Sequence, residues 1–295
     1  MLTHEWDTEK SPARVVIMGA GGFVGGRIQA RLEARGVSVL ALGRQEVDLL
    51  KPGAAEELAK HLNPDDCFIA VSAIAPVKNL SMLADNVRMI EAMAEAVTKS
   101  PVAHIVNIGS DAVFADSDGP LNEKSSRAAA SYHGVMHLTR EVAFDEVSGD
   151  TPVATLRPTL IYGAADPHNG YGPNRFRRLT ADGKTITLFG EGEERRDHVW
   201  VEDVAELATR IVMHRSSGSL NAATGTVISF KECAEAIAHM ADTPPAIEGS
   251  PRNGPMPHNG YRPFDASATK TAFPDFTYTQ PLDGFSKVKQ EMDAS

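Results

Sequence analysis

Short apolar runs alternate with amphipathic segments along the first half of the chain. Four runs are rich in β-branched residues, as buried parallel strands are: 14–18, 37–42, 67–73 and 104–109. Three intervening segments carry apolar residues at helical spacing: 23–35, 52–62 and 81–98. This alternation predicts an α/β fold with a Rossmann-type doubly wound parallel sheet, in which helices cover both faces.

A glycine-rich turn joins the first of these strands to the first helix. Gly19, Gly22 and Gly25 follow the apolar run directly and lead into the helical spacing. Backbone N–H groups at a helix N-terminus favour a pyrophosphate, and glycines let it approach without a Cβ in the way. We therefore expect a bound dinucleotide here, contacted by the three glycines and by Phe23 and Val24.

The chain is expected to divide into a tail and two larger regions. Residues 1–13 are polar and are interpreted as a flexible tail, and residues 14–163 as the dinucleotide-binding domain. The chain then becomes rich in loops, so residues 164–295 are interpreted mainly as a smaller C-terminal α/β substrate-binding region. Segments at about 198–225 are expected to return to the dinucleotide-binding domain.

Composition narrows the class of function. The 295 residues are 42% hydrophobic and carry a net charge of −10, which suits a large core but not non-specific nucleic-acid binding. No apolar run is long enough to span a bilayer. The two cysteines, Cys67 and Cys233, have no ligand spacing and fit a reducing compartment. We therefore expect a cytoplasmic protein without nucleic-acid or membrane partners.

The glycine spacing resembles that of the extended (atypical) short-chain dehydrogenases/reductases, the NAD-dependent epimerase/dehydratase family. The resemblance runs from about residue 15 to residue 284 and is nearest in layout to the dTDP-4-dehydrorhamnose reductases. Five more segments match family motifs in the expected order: Asp48-Leu49, 71–73, 108–114, 157–163 and 188–205. The resemblance implies an NAD(P)-dependent enzyme that acts on a nucleoside-diphosphate sugar and forms a homodimer through paired helices.

The resemblance also implies roles for individual residues. Further cofactor contacts are expected from the ends of several strands: Asp48, Leu49, Ser72, Ala73 and Pro158. Ser110 matches the family's catalytic Ser or Thr, whose hydroxyl hydrogen-bonds the substrate carbonyl. Substrate contacts are expected from one amide and two guanidinium groups that suit phosphate oxygens: Asn174, Arg196 and Arg262.

The end of the second strand bears on the choice of cofactor. An acidic residue there would accept hydrogen bonds from the ribose hydroxyls of NAD and repel a 2′-phosphate. This chain has Gly43 and Arg44 instead, which leave room for the phosphate and offer it a charged partner. NADP is therefore favoured over NAD.

The catalytic segment departs from the family's Tyr-x-x-x-Lys dyad, in which Lys lies on the same helix face as Tyr and lowers its pKa. In one register Tyr132 takes the tyrosine position, but Met136 takes the lysine position. In the other register His133 and His137 take the two positions. The second register is the better match, because the residues that flank it also agree with the family pattern.

Three interpretations of this segment stay open. In the first, His133 is the acid/base, because imidazole titrates at about 6.5, and His137 hydrogen-bonds the cofactor ribose. In the second, Tyr132 acts with help from a histidine. In the third, redox chemistry is lost and the fold binds a dinucleotide or sugar for another purpose. Asp111 would orient a histidine or stay solvated, and no third histidine or nearby carboxylate completes a zinc motif.

A reductase is the favoured function. Hydride would pass from NADPH to a sugar ketone that Ser110 polarises, and His133 would deliver the proton. One alternative is an epimerase or dehydratase that retains NAD. The other is a non-catalytic binding protein with a degenerate dyad.

Overall fold

A computed structural model of the protein describes residues 1–294. Its strands are β1 (Thr3–His4), β2 (Arg14–Met18), β3 (Val39–Leu42), β4 (Asp66–Ala70), β5 (His104–Ile108), β6 (Val153–Pro158), β7 (Leu160–Tyr162), β8 (Ile186–Phe189), β9 (Arg195–Trp200), β10 (Ser216–Ala222), β11 (Val227–Ser229), β12 (Ile247–Ser250) and β13 (Tyr261–Arg262). Its α-helices are α1 (Phe23–Ala34), α2 (Ala54–Ala59), α3 (Leu80–Lys99), α4 (Tyr132–Val147), α5 (Pro173–Ala181), α6 (Val201–Met213), α7 (Phe230–Ala238), α8 (Ser267–Ala272) and α9 (Pro281–Asp293).

Seven strands form the main sheet in the order β1-β10-β6-β5-β4-β2-β3. All neighbouring strands from β3 to β10 pair in parallel, and only β1 is antiparallel. The strand order runs outward in both directions from the centre, as in a doubly wound sheet. The predicted α/β fold class is therefore confirmed.

Alternation along the central strands explains why helices cover both faces of the main sheet. Val15 and Ile17 of β2 pack with apolar residues of α1 and α6. Val16 and Met18 of the same strand point the other way and pack with α2, α3 and α4. Because successive side chains of a strand lie on opposite faces, a strand that is apolar throughout requires a cover on each side.

The remaining strands belong to a smaller region beside the main sheet. There β9 is bordered by β11, β13 and β7, and β8 pairs with β12. Helices α5, α7 and α9 close over this region through Phe176, Phe230 and Phe285. The intervening α6 and β10, over 201–222, pack on the main sheet and not on the smaller one.

A buried carboxylate connects the two regions. Asp197 of β9 accepts hydrogen bonds from the Thr159 hydroxyl (2.8 Å) and from the backbone N–H groups of Thr224 (3.1 Å) and Gly225 (2.8 Å). Thr159 directly follows β6 of the main sheet, and Thr224 lies two residues beyond the end of β10. Burial raises the pKa of Asp197, while these hydrogen bonds favour its charged form.

The first residues of the chain differ from the flexible tail that their polarity predicts. Thr3 and His4 pair with Ser217 and Ser216 at the edge of the main sheet. The His4 ring also bonds the Ser216 hydroxyl (2.7 Å) and the backbone carbonyl of Ala272 (2.9 Å). The free edge of β10 offers these partners, which a polarity pattern cannot reveal.

None of the helices within residues 1–294 has the length and apolarity needed to cross a membrane.

Helix α4 is anchored to the sheet by a buried ion pair. Glu141 is 1% exposed and accepts two hydrogen bonds from Arg157 of β6, at 2.7 and 2.9 Å. Arg127 adds a third, at 3.0 Å, from the segment that precedes the helix. Such charge-assisted bidentate bonds fix geometry as well as contributing energy.

We expect Glu141→Ala to lower the free energy of unfolding by about 3 kcal/mol, because it leaves the buried Arg157 guanidinium without a counter-charge. Urea unfolding followed by circular dichroism measures this change. Glu146→Ala, at an exposed position of the same helix, is the matched control and should change the value by less than about 0.5 kcal/mol. Equal effects of the two substitutions would show that the ion pair does not anchor α4.

Candidate active site

A cavity of about 910 Å³ opens at the carboxyl ends of the parallel strands. Its walls come from the β2–α1 turn, from the ends of β3, β4, β5 and β6, and from the start of α4. The segment that leads into α5 closes the far side. Ligands of open α/β sheets bind at this edge, where the strand order reverses.

The glycine turn forms the part of the cavity that suits a pyrophosphate. Gly19 has φ +105°, and a Cβ there would lie 2.7 Å from the backbone nitrogen of Ser72. A Cβ at Gly25 would collide with the carbonyl of Gly19, so this glycine packs beneath the turn and does not line the cavity. Helix α1 begins at Phe23 without a side-chain cap, which leaves its first N–H groups for an anion.

The part of the cavity beside the end of β3 carries charges of both signs. The Arg44 side chain is 81% exposed, and its Nε lies 3.3 Å from the Asp48 carboxylate. Asp48 also accepts the Leu50 N–H, and this hydrogen bond is the main cause of its lowered pKa. Sequence reasoning missed Glu46, which accepts the N–H of Gly43 at 2.8 Å. Leu49 lines the cavity beside these groups.

The other predicted cofactor residues also lie on the cavity. Ser72 and Ala73 extend the end of β4, and Pro158 ends β6. They form the wall between the glycine turn and the start of α4. The residues present therefore fit an extended dinucleotide along the carboxyl edge of the sheet.

Ser110 lies at the cavity because α4 approaches the turn after β5 very closely. The Ser110 hydroxyl accepts the N–H of Ala112 at 3.2 Å and caps a short 3₁₀ turn. A Cβ at Gly134 would collide with the Ala112 carbonyl, so only glycine lets the first turn of α4 pack there. Ser131 caps α4 by accepting the Gly134 N–H at 3.1 Å.

Both candidate histidines line the cavity, on successive turns of α4. The ring centroids of His133 and His137 lie 4.7 Å apart, with the rings perpendicular. Tyr132 is 46% exposed and does not line the cavity. The structure thus differs from the interpretation in which Tyr132 acts, since position 132 faces away from the helix side that meets the sheet.

Burial holds both imidazoles in the neutral form. Desolvation lowers the pKa of His133, with Asp111 opposing this effect and Arg140 and His168 adding to it. The pKa of His137 is lowered further, first by burial and then by Arg140 and His133. The Nδ1 atom of His133 is buried without a hydrogen-bond partner among residues 1–294.

Two of the predicted substrate residues line the cavity but already have protein partners. The Asn174 amide accepts the Gly163 N–H at 3.2 Å and donates to the Ile161 carbonyl at 3.3 Å. Arg196 donates to Glu194 at 2.7 Å and keeps a side chain that is 12% exposed. Arg196 thus retains donors that can turn to the cavity, whereas Asn174 mainly fixes the loop before α5.

Arg262 differs from the expectation that it contacts the nucleotide. Its side chain is 3% exposed, is not part of the cavity wall, and bonds Asp111 (3.1 Å) and Asp116 (3.0 Å). The residues after Arg262 contact the same loop: the Leu121 N–H donates to the Pro263 carbonyl, and the Asp265 N–H donates to the Leu121 carbonyl. The guanidinium is therefore saturated by protein acceptors, and its segment holds the loop that follows Ser110.

Sequence reasoning missed several polar residues that line the cavity. They come from the loop before α5, from β9 and from the segment before β13: Asp166, His168, Tyr171, His198 and His258. His258 also has φ +52° and bonds Asp116. These residues carry no motif, and only the fold brings them to the dinucleotide edge.

Comparisons with known proteins agree with this geometry. A 26% identical relative, UDP-glucose 4-epimerase of Mycolicibacterium smegmatis, covers 81% of this chain and 86% of its own. dTDP-4-dehydro-6-deoxy-D-allose reductase of Streptomyces bikiniensis is 24% identical over 80% of this chain and 84% of its own. The structure of MoeE5 in complex with UDP-glucose and NAD superimposes with a TM-score of 0.82 at 22% identity, covering 96% of this chain and 100% of its own.

The UDP-glucose 4-epimerase of Thermotoga maritima with UDP-glucose also has a TM-score of 0.82, at 16% identity and over 95% of this chain and 99% of its own. A model of the family described as "NAD dependent epimerase/dehydratase family" matches residues 15–223. This chain therefore belongs to the NAD dependent epimerase/dehydratase family.

Proposed function

We propose that the protein reduces a keto group of a nucleoside-diphosphate sugar with NADPH. The observation that carries the proposal is that Ser110, His133 and His137 share one cavity with the glycine turn of β2 and α1. A hydroxyl donor, a titratable imidazole and a dinucleotide cradle together meet the needs of hydride transfer to a carbonyl. Relatives named as sugar-nucleotide epimerases and reductases support this substrate class.

The chain binds and orients the cofactor through its own backbone. The N–H groups at the start of α1 would hold the pyrophosphate, and His137 would offer a ring N–H to the ribose nearest the reacting carbon. The dinucleotide, when bound, supplies the hydride. Ser72, Ala73 and Pro158, at the ends of β4 and β6, would line the space beside the cofactor.

Ser110 and His133 act on the reacting oxygen of the sugar. The Ser110 hydroxyl donates to the ketone oxygen and stabilises the negative charge that develops there. The protonated His133 ring then gives its proton to this oxygen, which yields the alcohol and a neutral imidazole. Asp111 lies near enough to favour the protonated ring, so it partly offsets the burial of His133.

The substrate region supplies a cation for the diphosphate of the sugar nucleotide. Arg196 of β9 and His258 both line the cavity, and Arg196 lies near enough to His258 to lower its pKa, after burial as the main cause. The Asp197 hydrogen bonds fix β9 against the main sheet, so they fix the distance between Arg196 and the reaction centre.

An epimerase that retains NAD is the second candidate. It is favoured by the UDP-glucose 4-epimerase relative and by the two carboxylates, Glu46 and Asp48, beside the end of β3. A carboxylate at this place accepts hydrogen bonds from ribose hydroxyls and opposes a 2′-phosphate. Such an enzyme would use neutral His133 as the base in the first half-reaction and the protonated ring in the second.

We expect kcat/KM for ketone reduction to fall as pH rises through a pKa below 6.5, because the reaction needs protonated His133 and burial lowers its pKa. Oxidation of the alcohol needs the neutral ring, so its rate should rise through the same pKa and then stay level. The measurement is nicotinamide absorbance with a panel of dTDP- and UDP-4-keto sugars.

Replacing the acid/base tests the assignment of His133. His133→Ala should lower kcat by about 10²–10⁴-fold, whereas Tyr132→Phe, one residue away and outside the cavity, should leave it within about twofold. Loss of turnover in Tyr132→Phe with activity kept in His133→Ala would sink the assignment. An unchanged pH profile in His133→Ala would do the same.

We expect the protein to bind NADPH more tightly than NADH, and Arg44→Ala to weaken NADPH by about tenfold, or 1.4 kcal/mol, because it removes the cation for the 2′-phosphate. Fluorescence titration measures both affinities. Arg88→Ala is the matched control, since Arg88 is also exposed and paired with a nearby aspartate. Stoichiometric NAD released from denatured protein, identified by mass spectrometry, would instead favour the epimerase.

We infer that two copies pair through α3 and α4. Both helices expose apolar side chains, Leu80 and Val87 on α3 and Val135 and Val142 on α4, and such residues are costly in water. Val142→Glu should convert a particle of twice the 31.6 kDa chain mass into a monomer in light scattering, with Thr139→Glu on the same face as a second variant. A monomeric wild-type protein would contradict the pairing.

A further inference from the structure

Arg140 lies directly behind the candidate histidines, on the side away from the cavity opening. It follows His137 by one helical turn and is 1% exposed. Its Nη1 donates to the Ser72 carbonyl at 3.0 Å, and its Nη2 donates to the Ile108 carbonyl. Both carbonyls end strands that border the cavity, so the guanidinium spans the gap between β4 and β5 at the carboxyl edge.

The guanidinium keeps its charge without a carboxylate partner. Among the described residues, Arg140 forms hydrogen bonds but no ion pair, and the neighbouring Glu141 is bound by Arg127 and Arg157. Burial lowers the pKa of Arg140 to about 10, which leaves it positive at neutral pH. Glu141 favours the charged form of Arg140 through space, but all of the direct hydrogen bonds of the guanidinium go to uncharged groups. A buried cation without a direct counter-charge costs stability, so packing alone gives no reason for it.

The third contact of Arg140 is with His137. Its Nη2 lies 3.5 Å from His137 Nδ1. A guanidinium can only donate hydrogen bonds, so this long contact favours a lone pair on Nδ1 and the ring proton on Nε2. Protonating His137 would bring two cations together, with His133 as the other neighbour of the ring.

We propose that Arg140 is a positioning residue that fixes His137 as the neutral Nε2–H form and supplies, from behind it, the positive charge that a dyad lysine would carry. The contact itself is independent of the reaction. Only the use of the Nε2–H on the cofactor ribose rests on the proposed function.

The same geometry explains why histidine and not lysine stands at position 137. A lysine ammonium there would lie beside the Arg140 guanidinium, and like charges in a buried site repel strongly. A neutral ring avoids this repulsion while it keeps a hydrogen-bond donor on the cavity side. Arg140 and His137 therefore form a matched pair, in which each restricts what the other position accepts.

The first experiment needs no variant. Protein without added cofactor, labelled with ¹⁵N-histidine, is titrated by NMR. His137 should be neutral with the proton on Nε2 across the pH range in which the protein stays folded. A proton on Nδ1, or an imidazolium form at neutral pH, would overturn the proposal whatever the protein catalyses.

Variants then test the source of the effect. Arg140→Met should let the His137 ring exchange between both neutral forms and raise its pKa, whereas Arg140→Lys, which keeps the charge, should preserve the Nε2–H form. Arg88→Met, which removes an exposed arginine of α3 outside the cavity, is the control. A folded Arg140→Met protein with unchanged His137 signals would refute the proposal.

Moving the positive charge from position 140 to position 137 tests whether Arg140 acts through its charge or only through its packing. His137→Lys alone should weaken NADPH binding at least tenfold, because the two cations repel. His137→Lys combined with Arg140→Met should restore binding to within about threefold, measured by fluorescence titration. Additive losses would mean that Arg140 acts only as packing. A wild-type protein that binds neither dinucleotide would refute the proposed function, while the NMR titration would still decide the role of Arg140.

Discussion

The candidate active site depends on how closely α4 packs against the carboxyl edge of the main sheet. Gly134 lets the first turn of the helix reach the turn after β5, where any larger residue would collide with backbone. Farther along, Glu141 is bound to β6 and Arg140 to the ends of β4 and β5. Because these contacts reach three adjacent strands, the helix cannot slide without breaking buried charged hydrogen bonds, and both histidines keep their places at the cavity.

Features that depend on residues close together in the sequence could be predicted from the sequence alone. An apolar run predicted the strand β2, and the spacing of three glycines predicted the turn after it. Both lie where they were expected. The histidine register rested on a motif within one helix, and both rings do line the cavity. Contacts between residues far apart in the sequence could not be predicted. The Arg262 guanidinium, for example, is paired with Asp111 and Asp116, which only the folded chain brings to it.

In the proposed mechanism, two neutral rings with a buried cation beside them take the place of a charged dyad. A tyrosine titrates near ~10 and needs a nearby charge to act at neutral pH, whereas an imidazole titrates near ~6.5 and does not. Placing the positive charge one layer deeper, at Arg140, keeps the electrostatic field at the cofactor edge without a lysine on the cavity wall. Burial then shifts both histidines toward their neutral forms, which leaves His137 as a hydrogen-bond donor and His133 as the ring proposed to exchange a proton.

The segment from Arg262 to Asp265 holds the loop that follows Ser110, so both regions of the chain position this loop. This segment belongs to the smaller region by sequence, yet it bonds Asp111 and Leu121 beside Ser110. The two regions are therefore not interchangeable modules. A chimera that took its last third from a relative would lose these contacts and so disturb the loop that follows Ser110, even though the exchanged residues lie outside the main sheet.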